Sequence, residues 1–134
     1  MIRIVISGEP APWGVQAFTV AGHAALRDKP ASKSYKARVR LAAREQYHGQ
    51  LLGGPLRVNI VFFLRRGASV KRPMPTVKPD LTHLRKAAED GLTGVVWKDD
   101  AQVVMGQTVK VYADRVGSQT VIEITPAGVE EELK

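Results

Sequence analysis

No cysteine occurs among the 134 residues, which removes disulfides, thiolate metal sites and cysteine nucleophiles together and leaves oxygen and imidazole donors as metal ligands. Long apolar runs are lacking too. None approaches the roughly 20 residues a membrane helix needs, and Met1 to Ser7 meets Gly8-Glu9-Pro10 too early for a signal peptide. The expectation is a soluble, cytoplasmic protein with no membrane partner. Repeats and low-complexity stretches are absent, so one domain is expected over residues 1–126, followed by a flexible acidic tail over 127–134. Acidic residues are scarce in the first half: from Arg27 to Lys78 thirteen Lys or Arg face only Asp28 and Glu45, an excess of eleven within a net charge of +7. Such a surface attracts a polyanion through counterion release, although a merely soluble basic surface has the same composition.

What is present patterns as an α+β domain, a small mixed sheet with two main helices in the order β-α-β-α-β-β. Ile2, Ile4 and Ile6 alternate as in a strand. Ala11 to Ala31, with Pro12, Gly14, Gly22 and Pro30, reads as a long irregular segment anchored by Trp13 and Phe18. Ser32 or Ser34 suits the cap of a helix running to about His48, with Arg38, Arg40 and Arg44 solvated. Leu56 to Leu64 is apolar on both faces, as in a buried central strand, and Arg65 to Pro79 reads as an exposed basic loop. A helix over Asp80 to Leu92, closed by Gly94, precedes strands over Gln102 to Tyr112 and Gln119 to Thr125, joined as a hairpin with Gly117 in its turn. A domain of this size buries about two-thirds of its unfolded surface, so association with a second copy would add core.

The informative stretch runs from Lys78 to Val104. Helical spacing puts Leu81, Leu84, Ala88 and Leu92 on a stripe facing the sheet and Thr82, His83, Lys86 and Asp90 on another side. Asp80 opens that helix. Asp99 and Asp100 precede the next strand after a connection short enough to return them beside the helix, so an acidic cluster is expected. Carboxylates beside a lysine and a basic loop suit phosphodiester hydrolysis, with hard oxygen ligands holding Mg²⁺ and a cation opposing the charge on the reacting phosphate. Other roles fit the same residues. Asp80 suits a helix cap worth about 1 kcal/mol, Asp99-Asp100 an ordinary turn, Arg85 and Lys86 a solvated helix face, and His83 a bystander.

The run Lys78-Pro-Asp-Leu, Leu84, Lys86-Ala87, Asp90, Leu92, Gly94 and Asp99-Asp-Ala-Gln-Val103 resembles the signature of RusA-type Holliday junction resolvases, an Asp-Leu-Asp-Asn-Leu-x-Lys-Ala-like helix followed by Gly and then Asp-Asp-x-Gln-Val. The match covers about a fifth of the chain directly. The resemblance implies a homodimeric endonuclease that cuts branched DNA and four-way junctions with Mg²⁺, Mn²⁺ being a possible substitute. It implies catalytic roles for Asp80, Asp100 and Lys86, with Asp80, Asp100 and Asp99 as metal ligands. Arg65, Arg66, Lys71, Arg72 and Lys78 are expected to contact DNA. Where the family pattern has its second aspartate this chain has Thr82, and His83 replaces the following Asn. Either two carboxylates suffice, with water, Asp99 or His83 completing the site, or cleavage is weakened. A non-catalytic junction- or nucleic-acid-binding module, for DNA junctions or RNA, and a basic structural or interaction domain therefore stand as alternatives.

Overall fold

The structure, a computed structural model, describes residues 1–128. Its elements are β1 (Ile2–Ser7), β2 (Val15–Val20), β3 (His23–Asp28), α1 (Pro30–Gln46), β4 (Leu56–Leu64), α2 (Leu81–Leu92), β5 (Val103–Met105), β6 (Thr108–Tyr112) and β7 (Gln119–Pro126). A 3-10 turn spans Asp100–Gln102. The α+β class and the backbone of the expected order are observed, with one hairpin added.

β4 is the centre of the sheet because one whole face of it is apolar and both edges find partners. β7 pairs with it antiparallel on one side, while β5 and then β6 pair parallel on the other. β1 completes the sheet beyond β7. Alternate residues Leu56, Val58, Ile60, Phe62 and Leu64 are buried beneath the helices with Ile4, Ile6, Ile122 and Ile124. Tyr35, Val39 and Ala43 of α1 and Leu84, Ala88 and Leu92 of α2 fill the other side of this core, with the indole of Trp97 fully buried beside them. On the opposite sheet face, Val5, Val121, Val61 and Val109 stand side by side across four strands.

Several expectations are corrected. Residues 15–28 are not irregular: β2 and β3 form a two-stranded hairpin turned by Ala21 and Gly22, both at positive φ. Its residues are mostly exposed, so no core face imposed an alternation, and Ala-Gly lacks the usual Asn-Gly or Asp-Gly turn signal. β6 and β7 are not a hairpin, since β4 lies between them and residues 113–118 cross its end. The expected strand from Gln102 breaks into the 3-10 turn, β5 and β6 at Gly106, where φ is 135° and an added Cβ would fall 1.8 Å from the Val58 carbonyl oxygen. β4 itself is buried on one face, with Arg57, Asn59, Val61 and Phe63 half-buried on the other.

Helix α1 starts at Pro30 without a side-chain cap. Ser32 is buried and accepts the Gly14 N–H at 3.4 Å instead, holding the foot of the hairpin. Arg40 is not a solvated cation. Its guanidinium donates to the carbonyls of Asp90 (2.8 Å), Gly91 (3.3 Å) and Thr93 (3.3 Å), serving the orphan acceptors at the end of α2. Arg38 likewise donates to the carbonyls of Ser7 and Glu9. In the expected tail, the Ala127 amide donates to the Pro55 carbonyl. Its acidic part, Glu130 to Lys134, lies outside the described residues.

Candidate functional site

The basic loop reaches α2 in a fixed posture. Lys110 on β6 donates from its ammonium to the carbonyls of Val77 (2.8 Å) and Pro79 (2.9 Å), and the Lys78–Pro79 peptide is cis. Asp80 then occupies the N-cap position with extended backbone angles, yet its carboxylate makes no capping bond. That carboxylate is half exposed, with an oxygen 3.8 Å from His83 Nδ1. The residue has the place of a cap without the function of one.

The polar side of α2 splits between two concavities. Trp13, whose amide donates to the His83 carbonyl at 2.8 Å, lays its indole against the start of the helix. One cavity of about 560 Å³ has Trp13, Lys29, Lys78, Pro79, Asp80 and His83 in its wall. The other, about 210 Å³, is lined by Thr82, Arg85, Lys86, Glu89, Asp90 and Asp100. Lys86 stands at the divide: its ammonium is 5.3 Å from the Trp13 ring centroid and 3.8 Å from an Asp90 oxygen. Asp90 is in turn 3.3 Å from Lys36 Nζ, which also pairs with Asp28 at 3.1 Å, so the hairpin foot, α1 and the helix share one ionic chain.

Asp99 and Asp100 have different work. The Asp99 carboxylate accepts the Ala101 N–H at 2.9 Å in a capping box, while the Gln102 side-chain oxygen accepts the Lys98 and Asp99 amides. Gln102 also donates to the carbonyls of Leu52 and Gly54, pinning the turn to the body of the protein. The Asp100 carboxylate makes no hydrogen bond or ion pair among the described residues and opens onto the concavity of Thr82 and Lys86. Asp99 therefore shapes the turn that presents Asp100.

Among the described residues no group of three or more His, Asp or Glu stands together as an ion-holding cage. The expected acidic cluster is thus not gathered: Asp80 lines one concavity and Asp100 the other, with Thr82 on the helix between them. Mg²⁺ keeps much of its water and is commonly held by one or two carboxylates plus a substrate phosphate. Asp100, which is unpaired, and Asp80, which makes no capping bond, are carboxylates left open to such a contact.

The basic residues also divide. Arg66 is engaged in a bidentate pair with Asp114 (2.7 and 3.0 Å), donates to the carbonyls of Val70 and Arg72, and lies over the Tyr112 ring at 4.1 Å. Its hydrogen bond holds the Asp114 carboxyl below the usual carboxylate range. Arg72 donates to the Tyr112 hydroxyl at 2.8 Å. These two shape the loop. Arg65, Lys71 and Lys78 are exposed, with their cationic heads unpaired among the described residues. Arg85, read as a solvated position, is held by Glu89 at 2.7 Å, by Thr108 and by the Val58 carbonyl. Trp13 was visible in sequence only as an anchor and Lys29 not at all, because the hairpin that places both beside α2 carries no alternation.

A family model described as Endodeoxyribonuclease RusA matches residues 7–125, nearly the whole chain. The chain is also 27% identical over 126 residues to YqaN, an uncharacterized protein of Bacillus subtilis (strain 168), with 84% of this chain and 89% of that protein covered.

Proposed function

The chain belongs to the Endodeoxyribonuclease RusA family, and on that premise we propose that it is a Mg²⁺-dependent endonuclease resolving Holliday junctions and related branched DNA in recombination and repair, by paired nicks from a homodimer. The observation that carries this reading is the unpaired Asp100 carboxylate facing Thr82 and Lys86 across one concavity, with the uncapped Asp80 carboxylate at the head of the same helix. Hydrolysis joins a water oxygen to phosphorus and breaks one backbone P–O bond, the departing oxygen taking a proton. Asp80 and Asp100 would hold the ion, which when bound supplies an activated water and charge to offset that of the phosphate. Lys86, steered by Asp90 and the indole of Trp13, presents its ammonium where negative charge grows on the phosphate oxygens. Exposed Arg65, Lys71 and Lys78 approach the backbone of the arms.

The homodimer is supported by the valine row Val5, Val121, Val61 and Val109 on the sheet face opposite the buried core, where Val109 is exposed and the other three are half-buried. A second copy laid on that face would cover apolar surface in both subunits. No described helix is long and apolar enough to cross a membrane.

A labelled four-way junction incubated with and without Mg²⁺ tests the reading, with Mn²⁺ as a second metal and light scattering for subunit number. Symmetric paired nicks that need metal, from a species of twice the chain mass, support it. A second reading, a binding module that does not cut, is favoured by the neutral Thr82. It requires an inert wild type, with Thr82→Asp restoring nicking if the added carboxylate completes the site. A wild type and a Thr82→Asp variant that are both inert would remove the catalytic assignment.

A further inference from the structure

The cavity of about 560 Å³ has Asp80, one of the two carboxylates assigned to the ion, in its wall, but the rest of its lining is of another chemistry. One side is ring and proline surface: the Trp13 indole, the His83 imidazole 6.0 Å away at 58°, and Pro79. The other carries two cations, Lys29 from the foot of β3 and Lys78 from the end of the basic loop. An aromatic platform flanked by lysines is what a single-stranded nucleotide needs, with a π-face for the base and positive charge for its phosphate. A duplex arm cannot use it, since paired bases stay stacked inside the helix. An unpaired nucleotide can.

Resting on the nuclease reading, we propose that this cavity takes one unpaired nucleobase of the DNA strand, stacked on Trp13, with its phosphate between Lys29 and Lys78. The site would tell a branch point from a plain arm by the presence of a base free to leave the stack. Asp80 and His83, in the same wall, offer an acceptor and a ring nitrogen to the base edge. Because Trp13 also touches Lys86 through its ring, filling the cavity would bring the scissile strand beside the lysine and the carboxylates. Val15 and Lys29, next to the two ends of the hairpin, line the cavity, and the Gly14 N–H donated to Ser32 ties this part of the wall to α1.

The test uses the whole chain without divalent metal, so that binding is read apart from cleavage. Of the two tryptophans, Trp97 is fully buried and Trp13 reports the cavity. Titration with a short oligothymidylate, and with a junction carrying 2-aminopurine at the branch point, is expected to quench Trp13 emission and change the 2-aminopurine signal. An arm-length blunt duplex should do neither. Trp13→Phe should keep the 2-aminopurine change without the tryptophan quench. Trp13→Ala should weaken oligothymidylate binding roughly tenfold or more while leaving duplex binding unchanged. Equal quenching by duplex and single strand, or unchanged oligothymidylate affinity in folded Trp13→Ala, overturns the proposal. Should Trp13→Ala not fold, the wild-type quench and Trp13→Phe still decide it. An inert enzyme that nonetheless shows the quench would count against the nuclease reading alone, and active cleavage without the quench against the cavity alone.

Discussion

Val39 of α1 occupies the space that a side chain at Gly91 of α2 would need: a Cβ added there would lie 2.7 Å from Val39 Cβ and 3.0 Å from the Lys36 carbonyl. The two helices meet at this point, one residue from Asp90 and one turn from Lys36, so helix packing and the ionic chain of the site are set together.

Gly91→Ala should therefore lower stability even though alanine favours helix by about 1 kcal/mol. Overpacking of this kind costs about 1 to 3 kcal/mol. A lower Tm is expected, and Gly91→Ala with Val39→Gly, which removes the opposing Cβ, should lose less than the two single changes added together. Additive losses in that double-mutant cycle would show that the contact is not what limits the site.

Asp80→Asn and Asp100→Asn should each abolish Mg²⁺-dependent cleavage while junction binding persists, because on the proposed reading the amide keeps the shape and removes the charge that would hold the ion. Asp99→Ala should behave differently. It removes a cap, so about 1 kcal/mol of stability is the expected loss, and added metal should not recover it. Measured cleavage and urea midpoints separate the two patterns; wild-type cutting by either asparagine variant excludes that carboxylate.

Removing the unpaired cations Arg65, Lys71 and Lys78 should flatten the plot of log affinity against log salt by about 0.9 for each phosphate no longer neutralised. Arg66→Ala is expected to act through the loop. It frees Asp114 and uncovers Tyr112, raising protease sensitivity over residues 65–79. The folded-state carboxyl of Asp114 is lowered by Arg66, so this pair contributes above the ordinary carboxylate range and is lost as pH falls through its folded value. A salt slope that changes with Arg66→Ala and not with the other three would reverse the division of roles.

Tyr35 sets an alkaline limit. Burial pushes its phenol up to about 12, against weaker lowering by the Thr120 hydrogen bond and by Arg38. The group holds its proton more tightly when folded, so its contribution is complete below about pH 10 and is lost as pH rises toward 12, at about 1.4 kcal/mol per pH unit. Phenolate absorbance should show one late-titrating tyrosine, absent in Tyr35→Phe. If all tyrosines ionise together in the folded protein, the buried Tyr35–Thr120 bond is not maintained.

The parts of this arrangement that burial dictates were legible in sequence. The apolar stripe of α2, the alternation of β1 and the Leu56, Val58, Ile60, Phe62 and Leu64 face of β4 each report contact with the core, whereas Val61 and Phe63 on its other face do not. Partner choice was not legible. Nothing in Thr108 to Tyr112 tells a strand whether it will pair with β7 or lie parallel to β4. The guanidinium of Arg40 reads as solvated until the end of α2 is placed beneath it. Carboxylate identity was readable and carboxylate occupation was not: Asp99 and Asp100 are neighbours of one kind, separated in role by the Ala101 amide that only one of them meets.

One consequence of the strand order concerns synthesis. β1 has β7 as its partner, Ile2 lying opposite Ile124, and β4 needs β7 to fill its second edge. A ribosome that has delivered the chain as far as Asp100 has made both helices and the central strand, but the first strand must wait unpaired for the last. A chain stopped before Gln119 would lack β7 and leave β1 and one edge of β4 open to other chains.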